Sequence, residues 1–320
     1  MEFLELPGDR PVLLNNQTCP YCGVSFEVCT RTKDHVIARK FVPTGKLNKS
    51  WNLILWACRP CNQKKGDLED DLSAIAMQPD AHGRFPERDS AVAADAARKA
   101  RKSISRRTGK PVKDSAETLT LRSPFGSYGQ LVFTLTSPPQ ANRDRLVALA
   151  RLQLMACFYY VTYNDQTCRG GFWRGECYSV VETMRCDWGN DLMVAFMKMV
   201  EPWTPNLIAT AADGFFQVAI RRDPSAICWS WAVEWNRNFR AVGFFGEPAL
   251  VEPVLKQLPM LQAETIAVGP RSTIAYRCDV PLSGAEDTMF EWTRPNEPEP
   301  FAAGGLASED SASEVGAEAA

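Results

Sequence analysis

Residues 52–67 read NLILWACRPCNQKKGD. Three patterns follow one another in this stretch. LILWA is an unbroken apolar run, the mark of a buried strand. Cys58 and Cys61 form a CxxC knuckle. After Asn62 the pattern turns helical, with Leu68, Leu72, Ile75 and Ala76 returning at spacings of three to four. Pro79 closes that helix by disfavouring helical geometry at Gln78. A strand, a knuckle and a helix this tightly joined need a closing partner. It lies upstream, in a second CxxC at Cys19 and Cys22, 35 residues before the first.

Four thiolates in two knuckles suit one tetrahedral Zn²⁺, because each CxxC turn presents two sulfurs to the same ion. All four positions are then filled, which is a structural site rather than a catalytic one. A redox pair or two unrelated thiol pairs are the competing readings, and the spacing favours zinc. The other seven of the eleven cysteines are scattered, several inside apolar runs. The opening MEFLELPGDRPV lacks a basic segment followed by a long apolar stretch. No run of about 18 apolar residues marks a membrane span. A reducing, cytoplasmic setting is therefore expected, where paired CxxC motifs bind metal.

Between and beside the knuckles lie Asp34, His35, Asn52 and Asn62. The chain has one other histidine, His82, in a polar stretch with no evident role. Phosphodiester hydrolysis needs a base for water, a Lewis acid at the phosphate and compensation of developing charge. An imidazole titrates near neutral pH and serves as the base. Asp34 and Asn62 offer hard oxygens that suit Mg²⁺. Asn62 also fits as an N-cap for the following helix. The acidic run Asp67, Glu69, Asp70 and Asp71 is expected to complement the helix dipole rather than hold metal. Successive side chains on a regular strand point to opposite faces. Asp34 and His35 can share a site only if the strand bends there.

The ordered set CPYCG, TKDHVIARKF and NLILWACRPCNQKKGD resembles an HNH endonuclease with a zinc-stapled ββα-metal core, over residues 19 to about 72. The resemblance implies Asp34 as metal ligand, His35 as general base, Asn52 orienting the loop and the histidine, and Asn62 as second ligand to Mg²⁺ or another divalent ion. It implies Cys19, Cys22, Cys58 and Cys61 as ligands of a structural Zn²⁺. There are two departures, the first touching no chemistry and the second bearing on substrate fit. Ala38 stands where related sequences often have proline, and the loop ARKFVPTGKLNKSW carries Arg39, Lys40, Lys46 and Lys49 in place of a glycine-rich stretch.

The net charge of −2 hides its layout. Residues 78–122 carry +5 and residues 286–320 carry −8. Eight Lys/Arg fall between Arg98 and Lys113, in a segment of high helix propensity with almost no large apolar side chain. Arg59, Lys64, Lys65, Arg98, Lys99, Arg101, Lys102, Arg106 and Arg107 are the expected phosphate contacts, giving affinity without sequence choice. From 123 the chain becomes aromatic. GQLVFTLT, GFFQVAIRR, ICWSWAVEW, FRAVGFFG, ETIAVG and TIAYRCDV read as antiparallel strands, while Asn142 caps a helix and NDLMVAFMKMV and PALVEPVLKQL form two more. Trp173, Trp188, Trp203, Trp229, Trp231 and Trp235 read as core. Arg221, Arg222, Arg237 and Arg240 flank the strands as candidate contacts for phosphates or a nucleotide.

The expected organisation is α+β: a small zinc-bound ββα-metal HNH domain (1–78), a basic helical linker (79–122), a larger α+β domain with antiparallel strands (123–293) and an acidic disordered tail (294–320). The expected activity is hydrolysis of DNA by a metal-dependent nuclease, in a restriction or anti-phage setting. The expected partners are DNA, a homo-oligomer and a nucleotide or protein trigger acting through 123–293, with no membrane. A zinc-stabilised nucleic-acid-binding module without catalysis is the competing reading.

Overall fold

The computed structural model describes residues 3–80, 83–84, 89–125, 129–225, 228–269 and 272–292. His82 and the acidic tail lie outside them. Strands β1 (Val12–Leu13), β2 (Arg31–His35) and β3 (Leu53–Cys58) form a sheet in the order β1-β3-β2. β2 runs antiparallel and β1 parallel to the central β3. The apolar run places Leu53, Ile54 and Leu55 fully inside. Helix α1 (Arg59–Ile75) leaves β3 without a linker. Its N-cap is Cys58 and Pro60 fills the first turn, where a missing N–H costs nothing. The helix therefore begins earlier than the periodicity after Asn62 suggested, and Asn62 sits inside it rather than capping it. The acidic run is likewise mid-helical. Glu69 and Asp71 are buried, and each meets a cation.

Helix α2 (Ser90–Lys102) is capped by Asp89, whose carboxylate accepts from the Ala91 N–H at 2.8 Å. It is not a free-standing linker. It packs on α1 and on the turn Val112–Asp114, enclosing Ala100 with Ala74, Ile75 and Val112. Small alanines allow that close approach, a packing role that the absence of large apolar residues concealed.

A hairpin of β4 (Glu117–Phe125) and β5 (Gly129–Ser137) precedes α3 (Arg143–Val161). Asn142 caps α3, accepting from the Arg145 N–H. Then come β6 (Glu176–Met184), α4 (Asp191–Val200), β7 (Thr204–Ala211), β8 (Phe216–Arg222), β9 (Trp229–Trp235), β10 (Phe239–Gly246) and α5 (Pro248–Leu255). A second hairpin, β11 (Glu264–Gly269) and β12 (Ser272–Tyr276), follows. Five strands make one antiparallel sheet in the order β6-β10-β9-β8-β7. β6 and β7 were not anticipated, because their sequences mix polar and apolar residues without strict alternation.

The two sheets share an apolar core. One cluster contains Leu53, Leu55 and Leu72 together with Leu149, Leu154 and Trp235. Polar links reinforce it. Asn238 donates to the Ala76 and Gln78 carbonyls, and the Ala212 N–H donates to Ser50 Oγ at 2.7 Å. Arg145 on α3 reaches Asp71 on α1 at 2.7 Å. The tryptophans are packed inside, Trp231 and Trp235 almost completely. Arg221 and Arg240, expected as ligand contacts, are buried as well. Arg240 bridges Glu234 and Asp287 and lies over the Trp188 ring. Arg221 donates to the carbonyls of Glu201, Met289 and Glu291.

Candidate metal centre and nuclease site

The two knuckles meet. The sulfurs of Cys19, Cys22, Cys58 and Cys61 all lie within 4.8 Å of one another. The Cys22 and Cys58 sulfurs are 3.7 Å apart. Cys19 and Cys58 are buried, whereas Cys22 is exposed. Burial pushes the Cys19 thiol up to about 12 and raises Cys61 as well, so these two resist ionising on their own. A soft divalent cation reverses that balance by binding the thiolates. Donor type, number and mutual distance all fit Zn²⁺. The cluster ties the loop before β2 to the β3–α1 junction, which frames the rest of the site.

Asn52, immediately before β3, is buried, and its side chain clamps the backbone of one residue. Its Oδ1 accepts from the Ile37 N–H at 3.1 Å and its Nδ2 donates to the Ile37 carbonyl at 2.9 Å. Those bonds fix the bend at Val36–Ile37 that follows His35 directly.

Asp34 points toward α1. It is 4% exposed. One oxygen accepts from Lys65 Nζ at 3.1 Å, and the other accepts from the Tyr21 hydroxyl. Lys65 also reaches Glu69 at 2.7 Å and the His35 carbonyl at 2.8 Å. Burial opposes the charge on Lys65, but Asp34 and Glu69 outweigh it and raise its pKa. Lys65 was expected at the surface as a phosphate contact. It is instead 1% exposed and serves as counter-ion to two buried acids.

His35 closes β2. The pairing of β2 with β3 is unbroken from Arg31↔Cys58 to His35↔Ile54. Alternation therefore sends His35 to the face opposite Asp34 and Thr32. The bend that would bring the two onto one side starts one residue too late. His35 is half-buried, and its imidazole has no protein partner among the described residues. Burial first, and then the charge of Arg39, lower its pKa below 6.5. Lys33 and Arg39 stand around it, both exposed.

Asn62 lies on the α1 side. Its Nδ2 donates to Thr32 Oγ1 at 2.9 Å and to the Lys33 carbonyl at 3.3 Å. Its side-chain Oδ1 has no protein partner among the described residues. Asp34 and Asn62 thus flank the same strand, but Asp34 already holds a lysine.

Residues 19–68 match the HNH endonuclease family. The HNH segment runs from the first knuckle into α1 and includes every residue just described except Glu69. Comparison with curated proteins and with solved structures gives no match. HNH domains are metal-dependent, and a divalent ion on Asp34 and Asn62 is the arrangement the motif implies. The residues as placed do not fit it. A Mg²⁺ beside Asp34 would face the Lys65 ammonium in an enclosed site, where like charges repel strongly.

The basic residues divide. Arg59, Lys64, Arg101 and Lys102 are exposed. Arg98 pairs with Asp95 and Arg107 with Glu117. Arg106 lies 3.8 Å from Asp70 and 3.9 Å from Asp67. Lys99 is buried, donating to the Val42 carbonyl at 2.9 Å. Several of the expected phosphate contacts are therefore taken up by partners within the protein, some nearby in sequence (Asp95, Glu117) and some distant (Asp67, Asp70, Val42). Sequence reasoning missed Tyr21, Lys65 as a buried ion and Glu69. Only the i,i+4 spacing of Lys65 and Glu69 signalled any of this. Among the described residues no helix is long and apolar enough to cross a membrane.

Proposed function

We propose that this protein is an HNH nuclease that hydrolyses DNA phosphodiester bonds, with His35 as the general base. The carrying observation is the setting of His35: an imidazole whose pKa is lowered by burial and Arg39, without a protein partner among the described residues, at the end of a strand pinned by Asn52 and the cysteine cluster. A neutral imidazole can take a proton from water at an unprotonated ring nitrogen. Lys33 and Arg39 supply positive charge where a phosphate would approach. Asp34 and Asn62, the ligands the motif implies, would receive a divalent ion only if Lys65 left Asp34, so no step is assigned to that ion. A restriction or anti-phage role is proposed from architecture alone, an HNH segment joined to a larger α+β body. Phage plating on cells with wild-type or His35→Ala protein tests it, and equal plaque counts would remove that role.

A specific observation favours a second reading, nucleic-acid binding without catalysis. Asp34 is neutralised by Lys65 and faces away from His35. Supercoiled plasmid incubated with zinc-loaded protein and Mg²⁺ separates the two. Conversion to nicked circles supports the nuclease. Retarded but uncut plasmid across Mg²⁺, Mn²⁺ and Ca²⁺ supports the binder.

A further inference from the structure

A cleft of about 740 Å³ opens between α3, β6 and the HNH segment. That volume is in the range of small-molecule sites. Arg143, Val147, Arg151 and Met155 recur every four residues along α3, so one helical face forms a wall. Tyr178 on β6 and Leu255 at the end of α5 line it, and Tyr21 and Lys64 enter from the HNH segment.

The wall's charge is unbalanced. Arg143 is paired with Glu182 at 2.9 Å. Lys64 and Arg151 are both exposed and have no carboxylate partner among the described residues. Asp144 is the single acid of the lining. Two unpaired cations therefore line one cleft that also has an apolar wall. The apolar share, from Val147, Leu152, Met155 and Leu255, is foreign to a groove that only follows a DNA backbone. It suits a planar body with an anionic end.

We infer that this cleft binds a small phosphorylated ligand of nucleotide type, its phosphate held between Lys64 and Arg151 and its base against Val147, Met155 and Tyr178. The site adjoins the nuclease centre through one residue. Tyr21 lines the cleft, and its hydroxyl donates to Asp34. A ligand there acts on the Tyr21–Asp34–Lys65 chain without touching His35.

The test is binding and needs no cleavage, so it stands apart from the nuclease reading. Zinc-loaded full-length protein is titrated with trinitrophenyl-ATP and the fluorescence rise is recorded, followed by displacement with unlabelled AMP and ATP. Saturable binding that Arg151→Met weakens at least tenfold is expected, with Lys198→Met on α4 as an unaffected control. Both residues are exposed, and equal melting curves establish that the variants fold. A second variant, Val147→Glu, should abolish binding by placing a carboxylate on the wall. Absence of saturable binding up to millimolar nucleotide would overturn the site. So would binding indifferent to both variants. Duplex DNA whose affinity falls with Arg151→Met, while AMP and ATP fail to displace the probe, would assign the cleft to DNA and overturn it too.

Discussion

Lys65 is the structural element whose removal has the most calculable consequence. It is buried between Asp34 at 3.1 Å and Glu69 at 2.7 Å. Lys65→Met keeps the length of the side chain and deletes the charge, leaving two enclosed carboxylates. Removing one partner of a buried ion pair costs about 3–5 kcal/mol, mainly because the remaining charge is uncompensated. Against a typical stability of about 5–15 kcal/mol that is a large fraction. With a slope of about 1–3 kcal/mol per molar urea, the midpoint should fall by on the order of 1–5 M. The pH dependence carries a sign. Burial already raises Glu69 above its ordinary value despite Lys65, and losing the ammonium raises it further. A carboxylate whose folded pKa lies above its unfolded one costs stability as pH rises through the folded value. The variant's deficit should therefore be largest at pH 7–8 and smaller at pH 5. Lys65→Met/Glu69→Leu should recover part of the loss, since only Asp34, still bound by Tyr21, then lacks its partner. Tryptophan fluorescence in urea at pH 5 and pH 8 reads all three proteins. A Lys65→Met midpoint within 0.3 M of wild type (about 0.3–0.9 kcal/mol at that slope) at pH 8 would refute the reasoning.

Further predictions use other parts of the molecule. Burial, partly offset by Asp95, lowers Lys99 to about 8. The folded state then holds fewer protons than the unfolded one between pH 8 and 10.5, so stability should rise by on the order of 3 kcal/mol across that window. Lys99→Met should flatten the rise, as denaturation at pH 7.5 and 10 would show. Cys58→Ser should lower zinc content measured by metal analysis and cost about 4 kcal/mol or more in stability, as loss of a structural metal does. Asn52→Leu leaves the buried Ile37 N–H and carbonyl unpaired and should cost about 2–4 kcal/mol, with nicking activity falling alongside. Unchanged melting in that variant would remove the clamp from the account.

Much of the architecture was readable because it rests on local pattern. Asn142 announces α3 as its cap, and the apolar run of NDLMVAFMKMV announces α4. The aromatic runs around Trp231 and Phe244 mark strands that are buried on both faces. The cysteine cluster was readable because zinc chemistry dictates its spacing. What escaped depends on distance in sequence. Tyr21 meets Asp34, Arg145 meets Asp71 and Arg107 meets Glu117 only after folding. A basic run therefore looks free until its partners arrive, and Lys65 looks like one more surface charge. The facing of Asp34 and His35 was posed by the sequence as a condition. The unbroken pairing of β2 leaves that condition unmet in this conformation.

The central claim is that His35 performs base catalysis on a phosphodiester. Single-turnover nicking of supercoiled plasmid by zinc-loaded wild type and His35→Ala, with saturating Mg²⁺ or Mn²⁺, tests it most directly. General-base catalysis is typically worth about 10²–10⁴-fold, so the variant should be at least a hundredfold slower with unchanged zinc content and melting. Because burial and Arg39 hold the imidazole neutral below its ordinary value of 6.5, the wild-type rate should stay level down to about that pH and fall in more acid solution. A His35→Ala protein that nicks at the wild-type rate would contradict the account.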